Sequence, residues 1–415
     1  QQNSYVTIPH AAYSYEQTET AANVDEDIID SLTGGRLVGS VTSFENFAEC
    51  PLRYYLRYGV DLKEREEFTF SPVNFGVVLH AVIREVCDEI KKNGESYYLI
   101  SEEKRREMVK RSVAAITDIY QNSILKDSSR NSFMIKRMED LADRTIWAMG
   151  EQLKCGDFVP FVFEHKFNME VGDGDRKQLM SGTIDRVDIC ENGTDVYVRI
   201  IDYKTGKKDF NIVKTYYGID IQLMVYMEAA MKLVAKMRPG KNVIPAGVFY
   251  YNISDPIVSA TTESAEEIED KIKGELRLKG MVNSDKDIVE KMDNTEGTSL
   301  NIPVSRKADG GFDSRRSKVM NTEQFNMLGR FVDVRAVDTA DRVAGGDIRR
   351  SPYKDGQFSS CDRCPYGAVC GFSVDLPGCN YRKLKKFDDE VLWNNIKEGV
   401  DENGKKMDTG AEECD

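Results

Sequence analysis

Apolar residues recur at helical spacing in the first part of the chain and at strand spacing in the middle. Phe75, Val78 and Val82 lie on one side of a predicted helix over 72–92, and charged helices are expected across 101–154. Strands are predicted over 159–170, 179–190, 195–205 and 243–251, with an apolar helix over 216–236 before the last of them. This order favours an α/β fold in which helices flank a mixed sheet.

Polar and charged stretches divide the chain into segments. Thr42-Ser43-Phe44-Glu45 matches a capping box and predicts a helix that runs to Cys50-Pro51. Residues 256–345 carry much charge and two helical patches, near 263–279 and 322–340. The predicted segments are a linker (1–40), a helical part (41–154), an α/β core (155–255), a charged helical and loop insertion (256–345), a cysteine-rich loop (346–386) and an acidic tail (387–415).

The formal net charge of -13 lies mainly at the two ends of the chain, and the body between them is close to neutral. Basic clusters at 315–318, 349–350 and 382–386 are compatible with phosphate contacts, with solvated surface patches as the alternative. The sequence has no apolar run of about 18 residues and no signal-peptide pattern, so a cytoplasmic protein without a membrane segment is expected. The chain begins with Gln1, which indicates a piece of a longer polypeptide.

The most informative motif is Asp202-x-Lys204, which follows Asp185 at hairpin distance. Residues two apart in a strand face the same way, roughly 7 Å apart, so Asp202 and Lys204 look into one site. The turn signal Asn192-Gly193 predicts a hairpin that brings Asp185 alongside them. Two carboxylates beside one ammonium are typical of a divalent-metal hydrolase.

Phosphodiester hydrolysis near neutral pH needs an activated water and an offset for the developing negative charge. Mg²⁺ takes oxygen ligands and provides both, so Asp185 and Asp202 are candidate ligands. Lys204 would neutralise charge on the scissile phosphate and orient or deprotonate the water. Glu164, on the preceding predicted strand, is a further candidate carboxylate, with a plain strand-face acid as the alternative.

A second metal-binding pattern is Cys361-x2-Cys364-x5-Cys370, in a loop rich in Gly and Pro. A tetrahedral metal site or an iron–sulfur cluster needs four ligands. The fourth ligand could be Cys379 nearby or Cys50 far upstream, and spacing does not choose between them. Thiolate ligands alone also leave zinc and iron–sulfur open.

Taken together, these motifs resemble the PD-(D/E)XK nuclease superfamily and, within it, the RecB-like branch. Gly76-x-x-x-His80 resembles the first motif of that branch, and Gln222-x-x-x-Tyr226 resembles the third. The resemblance implies a restriction-endonuclease-like core with helical insertions. The implied metal ligands are His80, Asp185 and Asp202, the implied catalytic lysine is Lys204, and the implied site-lining residues are Gln222 and Tyr226.

Ser43-Phe44-Glu45 and Cys364-Pro365-Tyr366 extend the resemblance to the AddB family, the nuclease-bearing subunits of bacterial helicase–nuclease complexes. This resemblance selects Cys50 as the fourth ligand and leaves Cys379 outside the set. It implies a structural [4Fe–4S] cluster, with zinc as the alternative occupant. The implied cluster ligands are Cys50, Cys361, Cys364 and Cys370.

The same resemblance implies an Mg²⁺-dependent DNA exonuclease that cleaves single strands during double-strand break repair by homologous recombination. Its implied partners are single-stranded DNA from an unwound duplex, an AddA-like helicase subunit and the rest of its own polypeptide. Two alternatives remain at this stage. One is an iron–sulfur nuclease of the CRISPR-adaptation type, and the other is a nuclease-derived clamp that binds DNA or a partner without cutting.

Overall fold

A computed structural model describes residues 38–63, 72–120, 129–171, 178–259, 264–376 and 379–410. The predicted linker over 1–40 lies outside the described residues except at 38–40. The chain forms two compact units. The larger unit comprises Arg65–Glu170, Leu179–Arg335 and Phe387–Asp415, and the smaller unit comprises Gln1–Glu64, Val171–Gln178 and Ala336–Lys386.

Helices make up much of the described chain. They are α1 Val41–Glu49, α2 Pro51–Tyr54, α3 Pro72–Lys92, α4 Glu102–Tyr120, α5 Ser129–Lys154, α6 Ile212–Tyr216, α7 Gln222–Met237, α8 Ala265–Glu275, α9 Lys286–Met292, α10 Thr322–Ala344, α11 Gly367–Cys370 and α12 Asp389–Gly410. A π-helical turn, Tyr55–Gly59, follows α2. The helices predicted over 72–92 and within 101–154 are confirmed.

Strands fall where the sequence predicts them in the middle of the chain, and six more were not predicted. The strands of the described residues are β1 Val38–Ser40, β2 Val159–Val171, β3 Gln178–Asn192, β4 Asp195–Lys204, β5 Asn242–Asn252, β6 Lys279–Asn283, β7 Val319–Met320, β8 Tyr353–Asp355, β9 Phe358–Ser359 and β10 Arg382–Lys383. The unpredicted strands are β1, β6, β7, β8, β9 and β10, all between two and five residues long.

A mixed sheet forms the centre of the larger unit. Strands β3 to β7 follow one another across it, and β2 also pairs with β3. The β3–β4 and β5–β6 pairs are antiparallel, whereas the β4–β5 and β6–β7 pairs are parallel. The predicted α/β class, with a mixed sheet flanked by helices, is confirmed.

The hairpin between β3 and β4 has the turn that the sequence predicts. Asn192 pairs with Asp195 across the two strands, and Gly193 has a φ of 60°. This left-handed conformation costs glycine little, because glycine has no Cβ. The hairpin brings the end of β4 next to the middle of β3, where Arg186 pairs with Ile201.

The apolar helix predicted over 216–236 is α7, which begins only at Gln222, so its predicted start is wrong. Helix α6 ends at Tyr216, and Gly218 follows with a φ of 77°. The N–H of Gly218 donates to the Thr215 carbonyl and that of Ile219 to the Lys214 carbonyl, both at 2.9 Å. This pair of bonds is a Schellman motif, which ends a helix, so α7 begins anew at Gln222.

Helices cover both faces of the central sheet. The faces of β4 alternate, so Ile201 and Tyr203 point one way while Asp202 and Lys204 point the other. The first face joins the apolar core with side chains from α3, α4 and α5, among them Val78, Val109 and Ile146. Helix α7 packs on β4 and β5.

The smaller unit joins the first two helices to the cysteine-rich loop. Its three-stranded sheet has β8 at the centre, parallel to β10 and antiparallel to β9. The Leu52 N–H donates to the Arg349 carbonyl at 3.3 Å, and the Tyr366 hydroxyl donates to the Leu62 carbonyl at 2.9 Å. Segments that lie far apart in the sequence therefore pack together within this unit.

Helix α1 begins two residues earlier than its predicted capping box allows. Ser40 is the last residue of β1 and has extended backbone angles, and its hydroxyl accepts a hydrogen bond from the Ser43 N–H at 3.2 Å. Ser40 is therefore the N-cap, and the capping box predicted at Thr42-Ser43-Phe44-Glu45 is wrong. The side chain of Ser43 instead donates to the Ser40 carbonyl at 2.7 Å.

The predicted segment boundaries stay predictions. Within 256–345, β6 and β7 extend the central sheet, and the side chains of Ser264 and Glu267 form a capping box at the start of α8. The acidic end of the chain contributes α12. Over the described residues, the helices are all too short or too polar to cross a membrane.

Candidate active site and cysteine centre

The ends of β3 and β4 bring the predicted carboxylates and lysine together in the larger unit. Asp185 accepts a hydrogen bond from the Tyr203 N–H at 2.6 Å, which fixes its carboxylate beside β4. Asp202 and Lys204 lie on one face of β4, and the Lys204 ammonium is 2.5 Å from Asp202 Oδ2. Both aspartates are buried. The hairpin and the period of the strand thus assemble the site as the sequence predicts.

Helix α3 and strand β2 add two more groups to this site. The Nδ1 atom of His80 lies 3.4 Å from Asp185 Oδ1 and 3.8 Å from Glu164 Oε1. Ligand atoms of His80, Glu164 and Asp185 all lie within 4.8 Å of one another. Asp202 is not a member of this set. The sequence left Glu164 open between a site residue and a plain surface acid, and the structure places it in the cluster.

Glu164 reaches the cluster from an unusual backbone conformation. Its φ of 48° is left-handed, although it lies inside strand β2. A residue with a Cβ in this region costs roughly 1–3 kcal/mol, and such residues concentrate at functional sites. The left-handed residue also breaks the alternation of the strand, so the period of two could not predict the direction of the Glu164 side chain.

The carboxylates of the site lie close together, and this shifts the pKa values of Asp202 and Glu164. Burial, followed by the charge of Asp185, raises the pKa of Asp202 to about 7, against the opposing charges of Lys204 and Lys208. Burial and Asp185 also raise the pKa of Glu164. A divalent cation would relieve the repulsion between these carboxylates.

The pKa of His80 is also raised, but by the charges around it rather than by burial. Burial on its own lowers the pKa of His80, but the hydrogen bond and charge of Asp185 and the charges of Glu164 and Asp202 outweigh it. The pKa of His80 therefore lies above its usual value. The carboxylates around His80 thus favour the protonated form of its imidazole.

Lys204 is held by a short relay from helix α7. Its ammonium donates to Gln222 Oε1 at 2.9 Å, and Gln222 Nε2 donates to the Tyr226 hydroxyl at 2.9 Å. Gln222 and Tyr226 lie one helical turn apart, as the sequence predicts for residues on one face. The Tyr226 ring packs edge-on against Phe167. The direction of the lysine is thus set by two helix side chains.

The donor set fits a divalent cation. It offers carboxylate oxygens, which suit Mg²⁺ and Mn²⁺, and one imidazole nitrogen, which suits later transition metals. The cluster is half-buried to buried, so a bound ion would be partly shielded from water. His80, Glu164 and Asp185 would hold the ion, with Asp202 at its side.

The smaller unit contains the four cysteines that the resemblance selects. Cys50 is buried between α1 and α2, and Cys361, Cys364 and Cys370 are half-buried in the loop that ends with α11. Burial raises the pKa of the Cys361 thiol, and the charges of Cys50, Cys364 and Cys370 add to this shift. The four thiols therefore lie within electrostatic reach of one another.

Neighbouring backbone groups affect the Cys50 thiol. Burial is the largest influence on the Cys50 thiol and raises its pKa, while the neighbouring backbone groups of Arg53, Ser351 and Leu52 partly oppose that shift. Donors directed at cysteine sulfur are a common setting of iron–sulfur ligands, because they stabilise the thiolate. Cys379 is buried as well, and the thiol charges acting on Cys361 come from the other three cysteines.

The spacing of these thiols bears on the metal. Among the described residues, His80, Glu164 and Asp185 form the group of three or more possible ligands with atoms within 4.8 Å of one another. No three cysteine sulfurs of the described part converge so closely. Tetrahedral zinc, with bonds of about 2.3 Å, holds its sulfurs roughly 3.8 Å apart.

Comparison with known proteins agrees with the fold and the site. The family model described as the PD-(D/E)XK nuclease superfamily matches residues 39–371. The chain belongs to the PD-(D/E)XK nuclease superfamily. The predicted nuclease fold is therefore confirmed.

Several curated relatives share one name, which describes them as the B component of an ATP-dependent helicase/deoxyribonuclease. The protein from Lachnoclostridium phytofermentans is 34% identical over 96% of this chain and 35% of its own length. Those from Caldanaerobacter subterraneus subsp. tengcongensis and Clostridium acetobutylicum are each 34% identical, over 93% and 95% of this chain and 34% of their own lengths. The predicted resemblance to such proteins is confirmed, and the chain spans about a third of the relatives it matches.

Proposed function

We propose that this chain is a divalent-metal-dependent DNA nuclease domain that hydrolyses phosphodiester bonds at the His80, Glu164, Asp185, Asp202 and Lys204 site. The observation that carries this proposal is the position of Lys204. Its ammonium lies between Asp202 and Gln222, next to a cluster of possible metal ligands. A lysine on a surface strand would need neither a buried carboxylate nor a helix-borne amide to direct it.

The residues of the site divide the chemistry between them. Bound at the cluster, Mg²⁺ would supply a Lewis acid for the phosphate and lower the pKa of its bound water. Lys204 would contact a phosphate oxygen and offset the charge that develops there, and Gln222 fixes its direction. Tyr226 holds the Gln222 amide, and Asp185 is locked by the Tyr203 N–H.

For the whole protein, we propose the role that the relatives' name indicates. The B component of an ATP-dependent helicase/deoxyribonuclease implies a second, AddA-like subunit that delivers unwound single strands. The domain would then act as an exonuclease in the cytoplasm during double-strand break repair by homologous recombination. The similarity over 96% of this chain supports this proposal.

For the cysteine centre, we propose a structural [4Fe–4S] cluster held by Cys50, Cys361, Cys364 and Cys370. Support comes from the backbone groups of Arg53, Ser351 and Leu52 next to Cys50 and from the mutual influence of the four thiols on the pKa of Cys361. Among the described residues, no three cysteine sulfurs lie within 4.8 Å of one another. Zinc is the alternative occupant. Anaerobically purified protein should be brown, with visible absorbance that bleaches on reduction, whereas colourless protein with stoichiometric zinc would contradict the cluster.

The nuclease proposal is tested with purified protein, end-labelled single-stranded DNA and Mg²⁺. Lys204→Ala should reduce cleavage by about 10²–10³-fold, because it removes a charge aimed at the developing negative charge. Lys207→Ala is the matched control, since it removes an exposed lysine from the loop that follows β4. Chelation by EDTA should abolish cleavage in all three proteins.

The outcomes separate the enzyme from its rivals. Equal cleavage by wild type and Lys204→Ala would indicate a contaminating nuclease. DNA binding without cleavage in wild type would instead indicate a nuclease-derived clamp. Cleavage that prefers short duplexes with overhangs over single strands would indicate a CRISPR-adaptation type of enzyme.

A further inference from the structure

The site face of the sheet continues from β4 onto β5. The two strands are parallel, with Asp202 paired to Tyr250 and Lys204 paired to Asn252. Paired residues of neighbouring strands present their side chains on the same face. Tyr250 and Asn252 therefore lie beside the two charged residues of the Asp-x-Lys motif, although neither belongs to any motif in the sequence.

A loop lysine folds back onto this second strand and is clamped there. The Lys208 N–H donates to Asn252 Oδ1, and Asn252 Nδ2 donates to the Lys208 carbonyl, both at 3.0 Å. The Lys208 ammonium lies 3.0 Å from Asp220 Oδ1, and the Tyr250 hydroxyl donates to the same oxygen at 2.7 Å. Backbone and side chain of Lys208 are thus both fixed.

The two lysines share one aromatic platform. The ammonium of Lys204 lies 5.5 Å from the centroid of the Tyr250 ring, and that of Lys208 lies 4.5 Å from it. Tyr250 and Asp220 are buried, whereas the Lys208 side chain is 33% exposed.

This arrangement exceeds what an ordinary surface ion pair explains. Ordering a lysine side chain costs rotamer entropy, which an exposed ion pair returns only in part. Here a buried carboxylate, a tyrosine hydroxyl and an asparagine clamp hold one lysine in place. An ammonium has three donors, so a partly exposed one can accept an anion while it stays paired to Asp220.

We propose that Lys208 forms a phosphate subsite, which binds the backbone phosphate adjacent to the scissile one. This inference rests on the proposed nuclease function and deepens it. Asp220, Tyr250 and Asn252 are its positioning residues. A DNA strand approaching four acidic or metal-binding side chains needs a cation that is not engaged in the reaction, and Lys208 supplies one.

The experiment measures cleavage of labelled single-stranded DNA at several salt concentrations in wild type, Lys208→Met and Lys208→Arg. Lys207→Met is the matched control, because it removes a charge from the exposed neighbour in the same loop. Loss of one phosphate contact should make the plot of log(kcat/KM) against log[salt] shallower by about 0.7. Lys208→Met should also raise KM about 10-fold while kcat changes less, and Lys208→Arg should restore most of both.

A binding measurement supplies a second readout. Fluorescence anisotropy with Ca²⁺ in place of Mg²⁺ should show the same shallower slope for Lys208→Met, and a smaller change of slope for Asp220→Asn. A Lys208→Met protein that melts earlier but keeps the wild-type slope would overturn the subsite and leave a structural ion pair. Wild type that neither binds nor cleaves DNA would instead overturn the proposed function itself.

Discussion

The two candidate metal centres of this protein are built in different ways. The carboxylate site stands on the long strands β2, β3 and β4 and on helices α3 and α7, whose backbone bonds exist without any metal. The cysteine centre stands on short helices, loops and strands of two or three residues. Regular secondary structure holds the carboxylate site in place. We infer that the metal of the cysteine centre instead helps to hold the smaller unit together.

The electrostatics differ in the same way. In the carboxylate site, regular structure forces like charges together, and burial raises the pKa of Asp202 to about 7. In the cysteine centre, the neighbouring backbone groups of Arg53, Ser351 and Leu52 partly oppose the rise in the pKa of Cys50. The charges of the carboxylate site repel one another in the absence of a cation, whereas burial raises the pKa of the Cys50, Cys361 and Cys370 thiols. We infer that one metal serves chemistry and the other serves folding.

The largest effect should follow from removing a cluster ligand. Cys364→Ser should lose nearly all of the about four iron atoms per chain that a [4Fe–4S] cluster contains. The loop of the smaller unit should then open, because few long elements hold it. Iron analysis and limited proteolysis with mass spectrometry measure both, and new cleavage sites are expected in 346–386.

Cys379→Ser is the matched control, since Cys379 is a buried cysteine of the same unit outside the implied ligand set. It should keep its iron and its proteolytic pattern. Equal iron contents of the Cys364→Ser and Cys379→Ser proteins would contradict the difference between the two centres. Proteolysis of Cys364→Ser that begins in the central sheet would contradict it as well.

A smaller effect should follow from displacing Tyr226, which holds Gln222 against Lys204, while all three residues stay unchanged. A Cβ on Gly182 would lie 2.7 Å from the Phe167 ring and 3.0 Å from the Tyr226 ring, so Gly182→Ala must displace an aromatic ring. A shift of Tyr226 moves Gln222 and misdirects Lys204. We expect kcat to fall roughly 10–100-fold with little change in KM.

Gly206→Ala is the control for this variant, because a Cβ there meets no atom within 4 Å. Its kcat should match wild type. If Gly182→Ala also keeps the wild-type kcat while it folds normally, the relay through Tyr226 does not position the lysine.

The smallest effect concerns the stability of the metal-free site. The pKa of Asp202 is about 7 in the folded protein and roughly 3.9 in an unfolded chain, so the folded state holds the proton longer. The stability that Asp202 contributes is present at low pH and is lost as pH rises towards 7. Asp202→Asn removes this loss, so its advantage in Tm over wild type should grow from pH 5 to pH 8 by about 2 °C.

Thermal melts with EDTA check this prediction, and Asp209→Asn, an exposed acid of the following loop, is the control. Mg²⁺ should stabilise wild type more than Asp202→Asn at pH 8, because it binds the folded site. A Tm difference that does not change with pH would show that Asp202 is already compensated without a metal.

Much of the fold could be predicted where local pattern and long-range structure agree. The strands β2 to β5 and helix α3 carry strong apolar periods, so their limits fall within a few residues of the predicted ones. The start of α7 was predicted too early because Gly218, which follows the end of α6, lies within an otherwise apolar helical pattern. Strands β6 and β7 were missed because five and two residues carry no period, and pairing with the rest of the sheet defines them.

The site shows the same division. Asp185, Asp202 and Lys204 follow from strand period and a hairpin turn, whereas His80, Gln222 and Tyr226 were singled out by the resemblance to the RecB-like motifs. The direction of Glu164 depends on a left-handed residue that no period reveals. The clamp on Lys208 depends on the register of two parallel strands, which no local pattern in the sequence reveals.

The most direct test of the account is a crystal structure of the protein with Mn²⁺ in place of Mg²⁺, with an anomalous map to locate the ion. We predict an ion at coordinating distance from Asp185 and Glu164, with His80 as a further ligand and Lys204 still directed by Gln222. An ion that contacts neither Asp185 nor Asp202 would contradict the assignment of the metal site.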